Sequence, residues 1–167
     1  MSAENPRFLF TVVCDDVRQE VGNKMSMMGV YENTIILDRF PVVVPRLCFV
    51  MKARTPANQP FERLKFLVRR DDEVILEAEL SEATLAALTT TEGAPADDGS
   101  PTDPADKAIL VSAVMVVSPM VFEKPCRLRI RAITESEELR GGTLLVTSAA
   151  APAERVTAKA SASGIGG

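Results

Sequence analysis

Histidine and tryptophan are absent from the 167 residues, and tyrosine occurs once. Histidine is the side chain that most often serves as general base, proton shuttle or metal ligand near neutral pH. Its absence removes Ser-His and Cys-His nucleophilic mechanisms and most zinc sites. Carboxylate, lysine and metal-carboxylate chemistry stay open. No apolar run approaches the roughly 20 residues of a membrane-spanning helix, and the opening MSAENPRF carries acid before any apolar stretch, unlike a secretory signal. Cysteine is scarce: Cys14, Cys48 and Cys126 are odd in number, far apart and set in or beside apolar runs. They read as small core residues kept reduced, which points to the cytoplasm. A Gly-rich phosphate loop, a Cys-x-x-Cys pair and a dinucleotide fingerprint are missing as well.

What remains is the composition of one globular domain, 46% apolar and 25% charged, with eleven prolines and nine glycines that favour many turns over long helices. The net charge of -4 offers no general attraction to nucleic acid or anionic membranes.

The chain reads as a succession of strands. FLFTVVCD, from Phe8 to Asp15, and KMSMMGVY, from Lys24 to Tyr31, flank Gly22-Asn23, which supplies the positive φ of a reversal. A short helix from Asp16 to Glu20, capped by Asp15 and stopped by Gly22, is the competing reading. Further on, LCFVMKA is a strand and TPANQP a loop.

The clearest alternation lies in RLKFLVRRDDEVILEAEL. A hairpin with Arg70, Asp71 and Asp72 as its loop sets Arg69 opposite Glu73, Lys65 opposite Glu77 and Arg63 opposite Glu79, with Val68 on Val74, Phe66 on Leu76 and Leu64 on Ala78. Ser81 to Leu88 suits one or two helical turns capped by Ser81, with Leu85 and Leu88 inward. Residues 89–107 have almost no large apolar side chain and read as a flexible inserted loop. AILVSAVMVVS is a buried strand, Pro119 and Pro125 bracket a loop with Met120, Val121 and Phe122, and CRLRIRAI alternates again. GGTLLVTS closes the set, its glycines suggesting a bulge; residues 149–167 read as a disordered tail. The pattern predicts an all-β fold, an antiparallel β-sandwich of seven to nine strands over residues 1–148, with at most one short helix.

A first strand ending in Cys14-Asp15-Asp16, the turn Gly22-Asn23-Lys24, a strand closing with Gly29-Val30-Tyr31, and Phe40-Pro41 shortly after resemble a family of uncharacterised bacterial proteins. The resemblance covers roughly residues 8 to 80. It implies a compact β domain and brings no assigned activity or catalytic residue.

Three groups of side chains invite a chemical reading. Cys14, Asp15, Asp16 and Lys24 place a thiol beside carboxylates, but adjacent negative charge disfavours the thiolate a nucleophile needs. The acids at Asp15-Asp16, Asp71-Asp72-Glu73, Asp97-Asp98, Asp103 and Asp106 could hold calcium or another hard cation, or serve a hydrolase, though none matches an EF-hand loop. Arg127, Arg129 and Arg131 form an outward stripe suited to an anionic partner. Met25, Met27, Met28, Met51, Met115 and Met120 read as core filler. The expectation is a non-catalytic cytoplasmic interaction or assembly module without cofactor, engaging a protein partner through the arginine stripe. An exposed sheet edge offers a route to a homo-oligomer, and neither nucleic acid nor membrane is an expected partner. The alternative is a metal-dependent binding protein or hydrolase using loop carboxylates.

Overall fold

A computed structural model describes residues 6–22, 24–91 and 108–149. Two sheets face each other. The first is four-stranded and antiparallel, in the order β2 (Lys24–Tyr31), β1 (Phe8–Glu20), β5 (Leu47–Pro56), β8 (Ala108–Val117). The second has the order β3 (Thr34–Leu37), β11 (Glu138–Ser148), β10 (Cys126–Thr134), β6 (Leu64–Arg70), β7 (Glu73–Leu80). A small pair, β4 (Val42–Val44) with β9 (Met120–Phe122), stands apart from both.

Side-chain alternation explains this layering. Leu9 and Val13 of β1 and Phe49, Met51 and Ala53 of β5 point toward Phe66 and Val68 of β6, Leu128, Ile130 and Ala132 of β10, and Leu144 and Val146 of β11, all in one buried cluster. Each half-apolar sheet thus covers the other, which removes apolar surface from water at about 25 cal/mol per Å². Phe122 of β9 is fully buried in the same cluster. The all-β fold is present as expected, but the described residues hold eleven strands where the alternation suggests seven to nine. The additions are short: β3, β4 and β9 have three or four residues each. Two corrections accompany them. The stretch between Pro119 and Pro125 is the strand β9 instead of a loop, because Val42 to Val44, far away in sequence, supply its partner. And β3 runs parallel to β11, so the sandwich is not wholly antiparallel.

The hairpin is chosen over the helix at Asp16 to Glu20: β1 continues to Glu20 and returns as β2, with Gly22 at φ 80° in the turn. The β6–β7 hairpin forms with a different register. Asp71 takes φ 53° and the turn shortens to Asp71-Asp72, so Phe66 pairs with Ala78 and Leu64 with Leu80. A bulge then puts Arg69 opposite Val74 and Arg70 opposite Glu73. Two of the three expected ion pairs survive, Arg63 to Glu79 and Lys65 to Glu77, each at 2.9 Å. The third passes from Arg69 to Arg70, which binds Glu73 at 2.9 Å.

One helix, α1 (Glu82–Thr91), follows β7. The Ser81 hydroxyl accepts the Thr84 N–H at 3.2 Å as its cap, and Leu85 enters the core. The helix therefore takes the first three residues of the expected 89–107 loop. The remainder of that loop, the tail from residue 150 and the side chain of Leu88 lie outside the described residues. At Gly141 the sheets approach closely: a Cβ there would stand 2.5 Å from Thr11 Cγ2 and 3.0 Å from Leu9 Cδ2. At this bulge, between Arg129 and Arg131 in the β10–β11 pairing, the Gly142 N–H donates to the Thr11 hydroxyl at 2.7 Å.

Candidate functional site

The outer face of the five-stranded sheet gathers cations. Odd-numbered residues of β10 point away from the core, so Arg127, Arg129 and Arg131 do share one face. The bulge at Gly141-Gly142 resets β11 so that Arg140 stands directly opposite Arg131, and the regular β6–β10 register puts Arg69 directly opposite Arg129 on the other side. Four arginines therefore occupy adjoining positions on three neighbouring strands. Like charges placed directly across a sheet repel, so this arrangement costs the free protein stability.

The counter-charges are thin. Arg131 meets Glu138 at 3.4 Å and also donates to its own strand, at the Ile130 carbonyl, at 2.7 Å. Arg129 donates to the Asp71 carbonyl at 2.7 Å and lies 3.5 Å from the fully exposed Asp72 carboxylate. Neither Arg69 nor Arg140 has an ion pair among the described residues, and the Arg69 Nε is buried without a hydrogen-bond partner. Burial lowers the Arg131 pKa; Glu138 pulls the other way, and the charges of Arg140, Arg129 and Arg69 add to the lowering. Leu67, on the same outward side between Arg131 and Glu77, is only 3% exposed.

Arg127 sits apart from these four. Its backbone N–H donates to Asp71 Oδ1 at 2.9 Å and its carbonyl accepts from Asp71 N–H at 2.8 Å, which pins the Asp71-Asp72 turn against β10. Beside that turn opens a cavity of about 400 Å³ lined by Arg70, Asp71, Glu73, Phe122, Lys124 and Cys126 among others. Its cysteine is pushed toward the neutral thiol. Burial raises the Cys126 pKa and Asp71 adds to the rise, while Arg70 and Lys124 oppose it.

The cysteine, aspartates and lysine of the first hairpin are not brought to one point. Cys14 is fully buried against Cys48, its direct neighbour across β1 and β5. Its pKa is pushed up to about 11, first by burial and then by the charges of Cys48, Asp15 and Asp16. Lys24 pairs with Glu20 at the far end of the hairpin, six residues from Cys14 along β1 or roughly 20 Å. Asp15 has a structural task instead. Gly29, at φ 65°, leaves the space into which its carboxylate fits, and the Tyr31 hydroxyl donates to Asp15 Oδ1 at 2.6 Å. Asp16 turns to Arg46 at 3.1 Å. Among the described residues no three carboxylates or thiols gather where a metal ion could be held. Asp97, Asp98, Asp103 and Asp106 lie outside them.

Residues 9–147 match the model of a family of unknown function, DUF6941. The chain belongs to that family. No curated protein and no solved structure matches it. The DUF6941 match runs from the second residue of β1 to the last but one of β11, so it contains both sheets and Arg69, Arg127, Arg129, Arg131 and Arg140. Cys14-Asp15-Asp16 and Gly29-Val30-Tyr31 lie within the matched residues. In this member of DUF6941 those residues are the buried thiol, the carboxylate, the glycine notch and the phenol that lock β1 to β2. No helix described here is long and apolar enough to cross a membrane.

Proposed function

We propose that this DUF6941 protein is a non-catalytic interaction or assembly module of the cytoplasm that docks a carboxylate-rich protein segment on the outer face of its five-stranded sheet. The observation that carries the reading is the pair of direct cross-strand contacts Arg131–Arg140 and Arg129–Arg69, with the Arg69 Nε left unpartnered. Guanidinium groups so crowded lower their mutual repulsion when carboxylates enter between them, and their forked geometry favours bidentate pairing. The strand stripe Arg127, Arg129 and Arg131 contributes its inner two members to the cluster and its third as a flanking charge. Buried reduced cysteines support the cytoplasmic assignment.

Calorimetric titration with a polyglutamate peptide tests this. The wild-type chain binds it at low salt, and a variant with Arg69, Arg129, Arg131 and Arg140 all changed to Gln binds at least tenfold more weakly while keeping its fold. Absence of binding, or equal binding by the variant, overturns the proposal.

A further inference from the structure

The opposite outer face, that of the four-stranded sheet, is apolar where a solvated face should be polar. Even-numbered residues of β1, β5 and β8 point outward there. Phe8, Phe10, Val114, Val116 and Leu110 are between 37% and 50% exposed, and Val30 of β2 reaches 53%. Between them Val50, Cys14 and Cys48 form a floor. Four strands at about 4.8 Å spacing and six residues of length make a surface of on the order of 400 Å² in plan, in the range where an exposed patch signals a contact. The segments of this sequence outside the described residues contain only Met1, Val156 and Ile165 as large apolar side chains, too few to cover it.

Its layout is self-complementary. Phe8 and Phe10 form a column on β1, and their direct neighbours on β5 are Arg54 and Lys52. The Arg54 guanidinium already lies over the Phe8 ring, 5.7 Å from its centroid. A two-fold axis along the strands, midway between β1 and β5, would stack two copies face to face. It brings each phenylalanine of one copy over a cation of the other, and the reverse. The same rotation sets Val12 over Val50 and Val30, on the outside of β1, over Val116, on the outside of β5. An unrelated partner would have to match this pattern; a second copy matches it by symmetry.

We infer that two copies of this chain associate through the outer faces of their four-stranded sheets, with Phe8 and Phe10 of each packed on Arg54 and Lys52 of the other. This differs from pairing at a sheet edge and does not depend on the arginine face. The plan area is small beside the ~800 Å² per partner of a standard interface, so the association is a weak one, to be sampled at protein concentrations of about 1–100 μM.

Sedimentation equilibrium of the full chain, spanning that concentration range, reads the association directly. The wild type shows a monomer–dimer equilibrium. Phe10→Glu and Val114→Lys, each at a half-exposed position and each checked for folding by circular dichroism, weaken dimerisation at least tenfold. The four-arginine glutamine variant dimerises like the wild type. A wild type that stays monomeric throughout, or a dimer untouched by both face variants, overturns the inference. So does a monomer that instead sediments with vesicles of phosphatidylcholine and phosphatidylglycerol, since that would make a lipid surface the occupant.

Discussion

Asp15, Gly29 and Tyr31 show how a short sequence pattern can be structural while looking chemical. Gly29→Ala puts a methyl group at positive φ and into the Asp15 carboxylate, so a loss of about 2 kcal/mol or more is expected in urea denaturation. Loss of less than half that amount would mean the notch is loose. The same neighbourhood sets the behaviour of the thiols. With Cys14 held at a pKa of about 11 and all three cysteines buried, iodoacetamide at pH 8 should leave the native protein unmodified and label three sites after denaturation, as intact mass would show. Tyr31 carries a pH consequence. Burial first, then the hydrogen bond to Asp15 and the charges of Asp15 and Cys14, push its pKa up to about 12 from an ordinary 10. Because the folded value is raised, its contribution is complete below pH 10 and is lost as pH climbs toward 12. Tyr31→Phe should flatten that part of the stability profile. At this scale the sequence was a fair guide to Cys14, since carboxylates beside a thiol argue against a thiolate. It was silent on Asp15 and Tyr31, because what joins them is the Gly29 backbone conformation, which no residue spacing specifies.

Elements were legible where a pattern is long and local. Strands β1, β5, β8, β10 and β11 follow from runs of seven or more alternating or apolar residues, and the Ser81 cap from its place before α1. The three-residue strands were not, since their evidence is a partner far along the chain: β4 lies some 78 residues before β9. For β3, which reads as extended chain, the hidden part is its parallel pairing with β11 more than 100 residues on. Register failed for a related reason. Ion pairing alone accepts either alignment of β6 and β7, because Arg63–Glu79 and Lys65–Glu77 form as diagonals as readily as direct neighbours. What decides is the two-residue turn at Asp71 and the bulge beyond it, and that choice leaves Arg69, which stands opposite Arg129 on β10, without its acidic partner. The Gly141 bulge brings Arg140 opposite Arg131, and its cost can be measured. Gly141→Ala should lower stability by about 1–3 kcal/mol through overpacking against Thr11 and Leu9. Thr11→Ser, which removes Cγ2 and keeps the hydroxyl that holds Gly142, should recover part of it in the double variant. Strict additivity of the two changes would show that the sheets do not meet there.

The whole molecule presents two unlike outer faces, one cationic and one apolar, on either side of a single core, and salt should separate them. Raising ionic strength screens exposed charges with a Debye length near 10 Å at 0.1 M and 3 Å at 1 M. On the five-stranded sheet, screening relieves the repulsion among Arg69, Arg129, Arg131 and Arg140, so the midpoint of thermal unfolding of the free chain should rise with sodium chloride, and polyglutamate binding should weaken over the same range. On the four-stranded sheet most of the buried area is apolar, with Arg54 and Lys52 packed on rings, so dimerisation should hold steady or tighten. The arginine-to-glutamine variant isolates the first effect: its midpoint at low salt should exceed that of the wild type, and its salt dependence should be shallower. Stability bought back by removing charge, at the expense of binding, is the signature of a site kept under electrostatic strain for a partner. If the variant is instead less stable at low salt, the four guanidinium groups are already compensated within the fold, and the cationic face is a packed surface rather than a docking site.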